Sequence, residues 1–206
     1  MRVAVLGGTG SFGLALARRL VAAGAEVVIG SRDADRARAA AAELACEGAT
    51  NAGAAISADL VFLAVKADAA LETAREHADA IGTTPLFSVA AELTFSPTGV
   101  RPTTDARSLA ERIQDVVQGP VVAGLHSLAA ANFGADEAPE EDALVCGDDA
   151  AAKELALELA GRLVRGRAVD AGPLASARAL EGMTAVIVNL NRRYKAHVGL
   201  RLSGLE

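Results

Sequence analysis

The apolar run Val3–Leu6 passes directly into Gly7-Gly-Thr-Gly-Ser-Phe-Gly13, after which Leu14, Leu16, Ala17, Leu20 and Val21 recur at helical spacing. Few folds accommodate a strand that must turn through glycines straight into an amphipathic helix. The three glycines of Gly8-x-Gly10-x-x-Gly13 serve different ends. Gly8 permits the tight turn, Gly10 lets backbone N–H groups approach a pyrophosphate, and Gly13 lets the helix pack close to the strand. The pyrophosphate would rest on the positive N-terminal end of that helix. Glycines also serve ordinary turns, but the strand before them and the periodic helix after them point to a dinucleotide site.

The rest of the chain repeats the alternation. Apolar runs at Glu26–Ile29, Leu60–Val65, Pro85–Val89, Val121–Leu125 and Ala143–Cys146 read as strands. Phe12–Ala23, Ala34–Ala45, Ala69–Ala80, Leu109–Val117 and Ala150–Leu163 read as helices. This order predicts an α/β, Rossmann-type, doubly wound and mostly parallel sheet with helices on both faces. Ala91–Arg107, with Ser96-Pro-Thr-Gly99 and Arg101-Pro102, reads as a loop able to cover a ligand crevice at the strand ends. No linker or repeat divides the chain, and 206 residues at 51% hydrophobic content can bury a sizeable core, so residues 1–206 are expected to form a single domain. Pro173 suits the first turn of a last helix carrying Leu180, Met183, Ile187, Leu190 and Tyr194. Ala185, Val186 and Val188 make its other faces apolar as well, so residues 173–206 are expected to form a C-terminal helical extension at a homodimer interface, with deep burial as the alternative.

A net charge of −6 with both signs interspersed argues against nucleic acid or a membrane surface as partner. The opening strand does not resemble a cleavable leader, and no apolar stretch is long enough to span a bilayer, so a cytoplasmic location is expected. Cys46 and Cys146 are far apart and lack metal-ligand spacing; they read as buried free thiols, and no metal site is expected. Asp148-Asp149 reads as a helix cap, while Glu137, Glu140, Glu141 and Asp142 read as a solvated loop.

The second strand ends in Ile29-Gly30-Ser31-Arg32, near the point where an NAD site places an acid on the adenosine ribose. Here the strand end offers the Ser31 hydroxyl and the Arg32 guanidinium, with Arg36 one helical turn further on. Two arginines and a hydroxyl suit a 2′-phosphate, which favours NADP. Asp33 could serve a ribose, but a helix N-cap role explains it adequately. The single tyrosine, Tyr194, is followed four residues later by Val198 rather than lysine, which excludes a short-chain dehydrogenase pattern. His77, mid-helix among polar neighbours, reads as solvated, and His197 lies in the basic tail with nothing to mark it as a catalyst. His126 ends a strand, where ligands gather in open α/β sheets, so a ligand-facing role and a structural one both stand. With no clear acid or base, the simplest reaction is hydride exchange between two flat rings that the protein aligns. The cations Arg192, Arg193, Lys195 and Arg201 either complement a helix C-terminus or attract an anionic ligand.

Taken together, Gly7–Gly13, Gly30–Arg32, His126-Ser-Leu128, Val145–Asp149, Val169–Leu174, Ala177–Glu181 and Asn191–Lys195 resemble the NADP-dependent reductases of coenzyme F420, an 8-hydroxy-5-deazaflavin with an acidic tail. The resemblance runs nearly end to end. It implies reversible hydride transfer between NADP(H) and F420, both small-molecule redox cofactors. It also implies that Thr9, Ser31, Arg32 and Arg36 hold the 2′-phosphate, Arg36 standing where a lysine is common, and that Gly10, Ser11 and Phe12 contact the pyrophosphate. His126 and Leu128, with Ala130 beside them, match positions near the nicotinamide and deazaflavin, and His126 would position the rings. Val65, Lys66, Ala67 and Leu71 complete the cofactor-binding set at the border of the redox crevice. The chain departs from the family at Lys66-Ala67, where proline and a bulky residue are frequent, and in Ala90–Ser96. Two other functions compatible with the residues are an NADPH-dependent flavin or ferric-chelate reductase and a non-catalytic NADP sensor.

Overall fold

A computed structural model describes residues 1–135 and 137–205. The chain winds through β1 (Arg2–Leu6), α1 (Ser11–Ala22), β2 (Glu26–Ser31), α2 (Ala34–Ala42), β3 (Glu47–Thr50), α3 (Asn51–Ala55) and β4 (Leu60–Leu63). It continues through α4 (Ala67–Glu76), α5 (Ala78–Ile81), β5 (Leu86–Ser88), β6 (Leu93–Ser96), β7 (Gly99–Pro102), α6 (Leu109–Gln114), β8 (Val121–Gly124) and α7 (Ala130–Phe133). The last elements are β9 (Ala143–Gly147), α8 (Ala150–Leu163), β10 (Ala168–Asp170), a 3-10 turn (Leu174–Ser176) and α9 (Ala177–Tyr194). The main sheet has the order β3-β2-β1-β4-β5-β8-β9-β10. Strands from β3 to β8 are parallel; β9 runs antiparallel to β8, and β10 follows β9. The chain order reverses at β1, with β2 and β3 to one side and β4 and β5 to the other, which opens a crevice at the carboxyl ends of β1 and β4.

The core follows from the two-residue period of the strands. Val3 and Val5 face one apolar layer with Leu16, Leu20, Ile29 and Phe62, whereas Ala4 and Leu6 face the other with Val28, Val61, Leu63 and Ile81. Strands covered on both faces carry continuous apolar runs, which makes the inner strands legible in the sequence. Edge strands need no such run: β3 (Glu-Gly-Ala-Thr) and β10 (Ala-Val-Asp) contain no buried residue and escape a reading based on apolar runs.

Several local expectations change. Ala91–Arg107 contains the antiparallel hairpin β6–β7 rather than only loop. Asn189 of α9 secures it from outside, its Oδ1 accepting from the Val100 N–H and its Nδ2 donating to the Val100 carbonyl, each at 2.8 Å. The helix expected over Ala69–Ala80 divides at His77 (φ −108, ψ 11). Pro173 precedes the 3-10 turn, so the last helix starts at Ala177. Cys46 lies half-buried after α2 and Cys146 is buried in β9, both free. Asp142 is no part of a solvated loop: it is fully buried and accepts from the N–H of Arg167 and of Leu202, and from the Arg167 guanidinium, each at 2.8 Å. A basic partner 25 residues away made the acid core-compatible. In α9, Leu180, Glu181, Ala185 and Ile187 face inward, while Val186 and Tyr194 are 56% and 66% exposed. Among the described residues no helix is long and apolar enough to cross a membrane.

Candidate functional site

The glycine turn is built from the end of β1 upward. Gly7 is the left-handed residue of the turn (φ 77), one position before the glycine singled out from spacing. Gly8 is tight for another reason, since a Cβ there would lie 2.9 Å from the Val5 carbonyl and 3.0 Å from Ile29 Cγ2. At Gly13 a Cβ would come within 2.5 Å of the Gly7 carbonyl, so only glycine lets α1 descend onto the turn. Gly10 is the N-cap of α1 and donates its own N–H to the Gly7 carbonyl at 3.0 Å. Helix α1 carries no side-chain cap and no acid in its first turn. Its leading N–H groups and positive dipole end are therefore available to an anion.

This helix start opens into a cleft of about 1030 Å3 lined by Gly7, Thr9, Gly10, Ser11 and Phe12, by Ser31 and Arg32 at the end of β2, by Arg36 in the first turn of α2, and by Val65 and Lys66 after β4. Thr9 Oγ1 and Ser31 Oγ stand 3.5 Å apart, and Ser31 also accepts from the Asp33 N–H. Asp33 caps α2, accepting from the N–H groups of Asp35 and Arg36. Arg38 of α2 and Arg75 of α4 pair with Asp35 and Glu72, whereas no ion pair among the described residues engages Arg32, Arg36 or Lys66. Three uncommitted cations and an uncapped helix end thus converge on one opening, an arrangement suited to a phosphorylated dinucleotide.

Sequence reasoning missed the opposite wall, where α4 presents Asp68, Glu72, Thr73 and Glu76. It also missed Asn51, a 3% exposed residue that lines the cleft from the start of α3. Neither carries a motif; both are recognised only once β3 and α4 are in place.

The other expected site residues lie elsewhere. Gly8 and Gly13 pack beneath the turn, and Ala67 and Leu71 pack against the second apolar layer rather than lining the cleft. His126, Leu128 and Ala130 follow β8, two strands beyond β4, and do not line it either. Leu125 adopts a left-handed conformation (φ 64), strained for a residue with a large side chain, and turns the chain there. His126 is 6% exposed; its Nε2 lies 3.3 Å from the Ala90 carbonyl, and its own carbonyl accepts from the Thr184 hydroxyl of α9 at 2.9 Å. Its Nδ1 is buried without a partner among the described residues.

Burial pushes the His126 imidazole down to about 4, only partly opposed by the Ala90 contact, so it is neutral at pH 7. The unfolded chain binds a proton near pH 6.5 that the folded chain refuses, so this residue's contribution is intact above that pH and lost as pH falls toward 4. The loss expected by pH 4.5 is roughly 2–3 kcal/mol. Thermal midpoints measured from pH 7 to 4.5 should fall further in the wild type than in His126→Gln, and parallel curves would show that the imidazole is not excluded from protonation.

Comparisons with known proteins point to one family, the sequence profile over the first part of the chain and the relatives over its full length. The sequence profile described as "NADP oxidoreductase coenzyme F420-dependent" matches residues 2–92. The F420-dependent NADP reductase of Methanothermobacter thermautotrophicus is 35% identical, the match covering 100% of this chain and 96% of that protein. The F420-dependent NADP reductase of Methanocaldococcus jannaschii is 31% identical over 100% of both. A provisionally assigned F420-dependent NADP reductase from Arthrobacter sp. FB24 superposes with a TM-score of 0.84 at 26% identity, covering 98% of this chain and 99% of that one. Pyrroline carboxylate reductase from Plasmodium falciparum, solved with NADP bound, superposes at 0.64 with 13% identity over 95% of this chain and 64% of that one, a likeness of fold alone.

Proposed function

We propose, for a chain that belongs to the F420-dependent NADP reductase family, that it transfers hydride reversibly between NADP(H) and coenzyme F420. The observation that carries the NADP half is the convergence of the uncapped α1 terminus with Arg32 and Arg36 on one cleft. In this reading the N–H groups of Ser11 and Phe12 receive the pyrophosphate, with Gly10 leaving them room. Thr9, Ser31, Arg32 and Arg36 receive the 2′-phosphate, and Val65 and Lys66 border the route toward the nicotinamide. Bound together, the two cofactors supply hydride exchange between nicotinamide C4 and deazaflavin C5. The protein holds the rings in contact and excludes water. His126, with Leu128 and Ala130, aligns them as a neutral group, and Ala67 and Leu71 support that side from the core. A buried neutral imidazole fits alignment better than proton transfer.

Residues 1–206 act in this reading as one NADP-binding domain, with 173–206 at a homodimer contact. The exposed Val186, Leu190 and Tyr194 lie along one face of α9 and support that role. A cytoplasmic location goes with the small redox cofactors it would use.

Mixing the protein with NADPH and purified F420, and separately with FMN or a ferric chelate, tests the reading by loss of the oxidised acceptor's absorbance. Turnover of F420 is expected. Turnover of flavin or ferric chelate alone would make it a different reductase, and NADPH binding without turnover of any acceptor would make it a sensor. Coenzyme choice has its own check. Arg32→Ala should weaken NADPH binding by about 1.5–3 kcal/mol, the range for hydrogen bonds to a charged group, with far less effect on NADH. Equal losses for both coenzymes would remove Arg32 from the 2′-phosphate.

A further inference from the structure

We infer that Asn51 is a positioning residue that holds the glycine turn in the shape the dinucleotide requires, and that Gly30 is the gap in β2 that admits it. The inference rests on the cleft being the NADP site. Asn51 is the first residue of α3, but the capping of α3 is already done by Thr50, whose hydroxyl accepts from the Gly53 N–H at 3.1 Å. The buried Asn51 amide is therefore not needed as a cap. It crosses from the edge strand side toward β1, where Oδ1 accepts the N–H of Gly7 at 3.3 Å.

Gly7 is the left-handed residue of the turn, and its carbonyl accepts the Gly10 N–H at 3.0 Å. One residue thus links the amide to the N-cap of α1, whose N–H groups face the cleft. The crossing passes over Gly30, where a Cβ would stand 2.9 Å from Asn51 Oδ1, nearer than to any other atom around it. Glycine in the middle of a strand weakens it, and here its absent side chain gives the amide its place. With its oxygen turned to the Gly7 N–H, the amide has its NH2 group to offer the cleft, which suits a phosphate or ribose oxygen.

The test compares the wild type, Asn51→Ala, Gly30→Ala and the double variant by NADPH titration and by KM for each cofactor at a saturating level of the other. Asn51→Ala should raise the NADPH dissociation constant about tenfold, as expected for losing a buried hydrogen bond and leaving its donor unpaired. KM for F420 should change by less than about twofold, because general destabilisation would move both constants whereas a turn defect moves only one. Gly30→Ala should weaken NADPH in the same direction by displacing the amide. The double variant should bind no worse than Asn51→Ala, since the group displaced is already gone. Unchanged NADPH affinity in Asn51→Ala, proportional losses for both cofactors, or additive losses in the double variant would overturn the inference while leaving the NADP site intact. A wild type that fails to bind NADPH would instead overturn the functional reading on which it rests. Should Asn51→Ala not fold, Gly30→Ala alone with unchanged NADPH affinity decides against the inference, and a selective loss of NADPH supports it.

Discussion

Gly10→Val is expected to abolish NADPH binding, by at least about 100-fold, in a protein that still folds. Gly10 sits at φ −77 and ψ 164, an extended conformation open to any residue, so valine strains nothing in the backbone. A Cβ there meets only the Gly7 carbonyl, at 3.3 Å, and the remaining methyl groups enter the cleft that Gly10 lines. That is where the phosphates must approach the start of α1, and a branched side chain keeps them from it. Gly13→Val should behave differently, because its Cβ would lie 2.5 Å from the Gly7 carbonyl and 2.9 Å from Gly8 Cα, both backbone atoms that cannot step aside. Circular dichroism with NADPH titration separates the two: a folded Gly10→Val protein that binds NADPH normally would move the phosphate site elsewhere.

A large loss of stability without steric conflict is expected of Asp142→Ala. Asp142 joins the start of β9 to the approach to β10 and to the chain after α9, because its carboxylate holds the N–H groups of Arg167 and Leu202 while its own N–H donates to the Leu200 carbonyl at 2.7 Å. The Arg167 guanidinium completes the clasp, donating to Asp142 and to the carbonyls of Leu202 and Leu205. Truncating the acid strands these donors. It should cost about 3 kcal/mol, the low end for breaking a buried pair, because Arg167 remains 40% exposed and water can reach it. The thermal midpoint should drop by roughly 6–12 °C in a chain of this size.

The Arg167 guanidinium holds the Asp142 carboxyl far below the usual carboxylate range. Its contribution is therefore present above about pH 4, where the unfolded carboxyl is ionised, and is lost as pH falls below that. The gap between wild type and variant should narrow on acidification. Midpoints within a degree or so of each other at pH 7 would show that the clasp contributes little.

Much of the cleft was legible before any tertiary contact was known, and the reasons are local. A strand entering Gly7–Gly13 leaves few conformations to the chain, and Ser31 and Arg32 are placed by the end of the strand they terminate. Arg36 follows from one turn of helix. The inner strands announced themselves because burial on both faces forces an unbroken apolar run, as in Leu60–Leu63. Edge strands β3 and β10 face that demand weakly, and the hairpin β6–β7 is bonded from outside by Asn189, nearly ninety residues further along the chain.

Sequence by itself determined the class of sheet, the glycine turn, the helix that follows it and the charge at the end of β2, all consequences of periodicity and steric freedom over a few residues. Tertiary structure alone decided the fate of the polar groups. Asp142 stood in an acidic stretch whose members looked alike, and only Arg167 and Leu202, 25 and 60 residues away, made one of them a buried carboxylate. Asn51 had no meaning until β3 lay beside β2 and brought its amide to Gly7. The physical reason is common to both. The cost of removing a polar atom from water is set by the partner that replaces the water, and that partner is chosen by the fold rather than by the neighbouring residues.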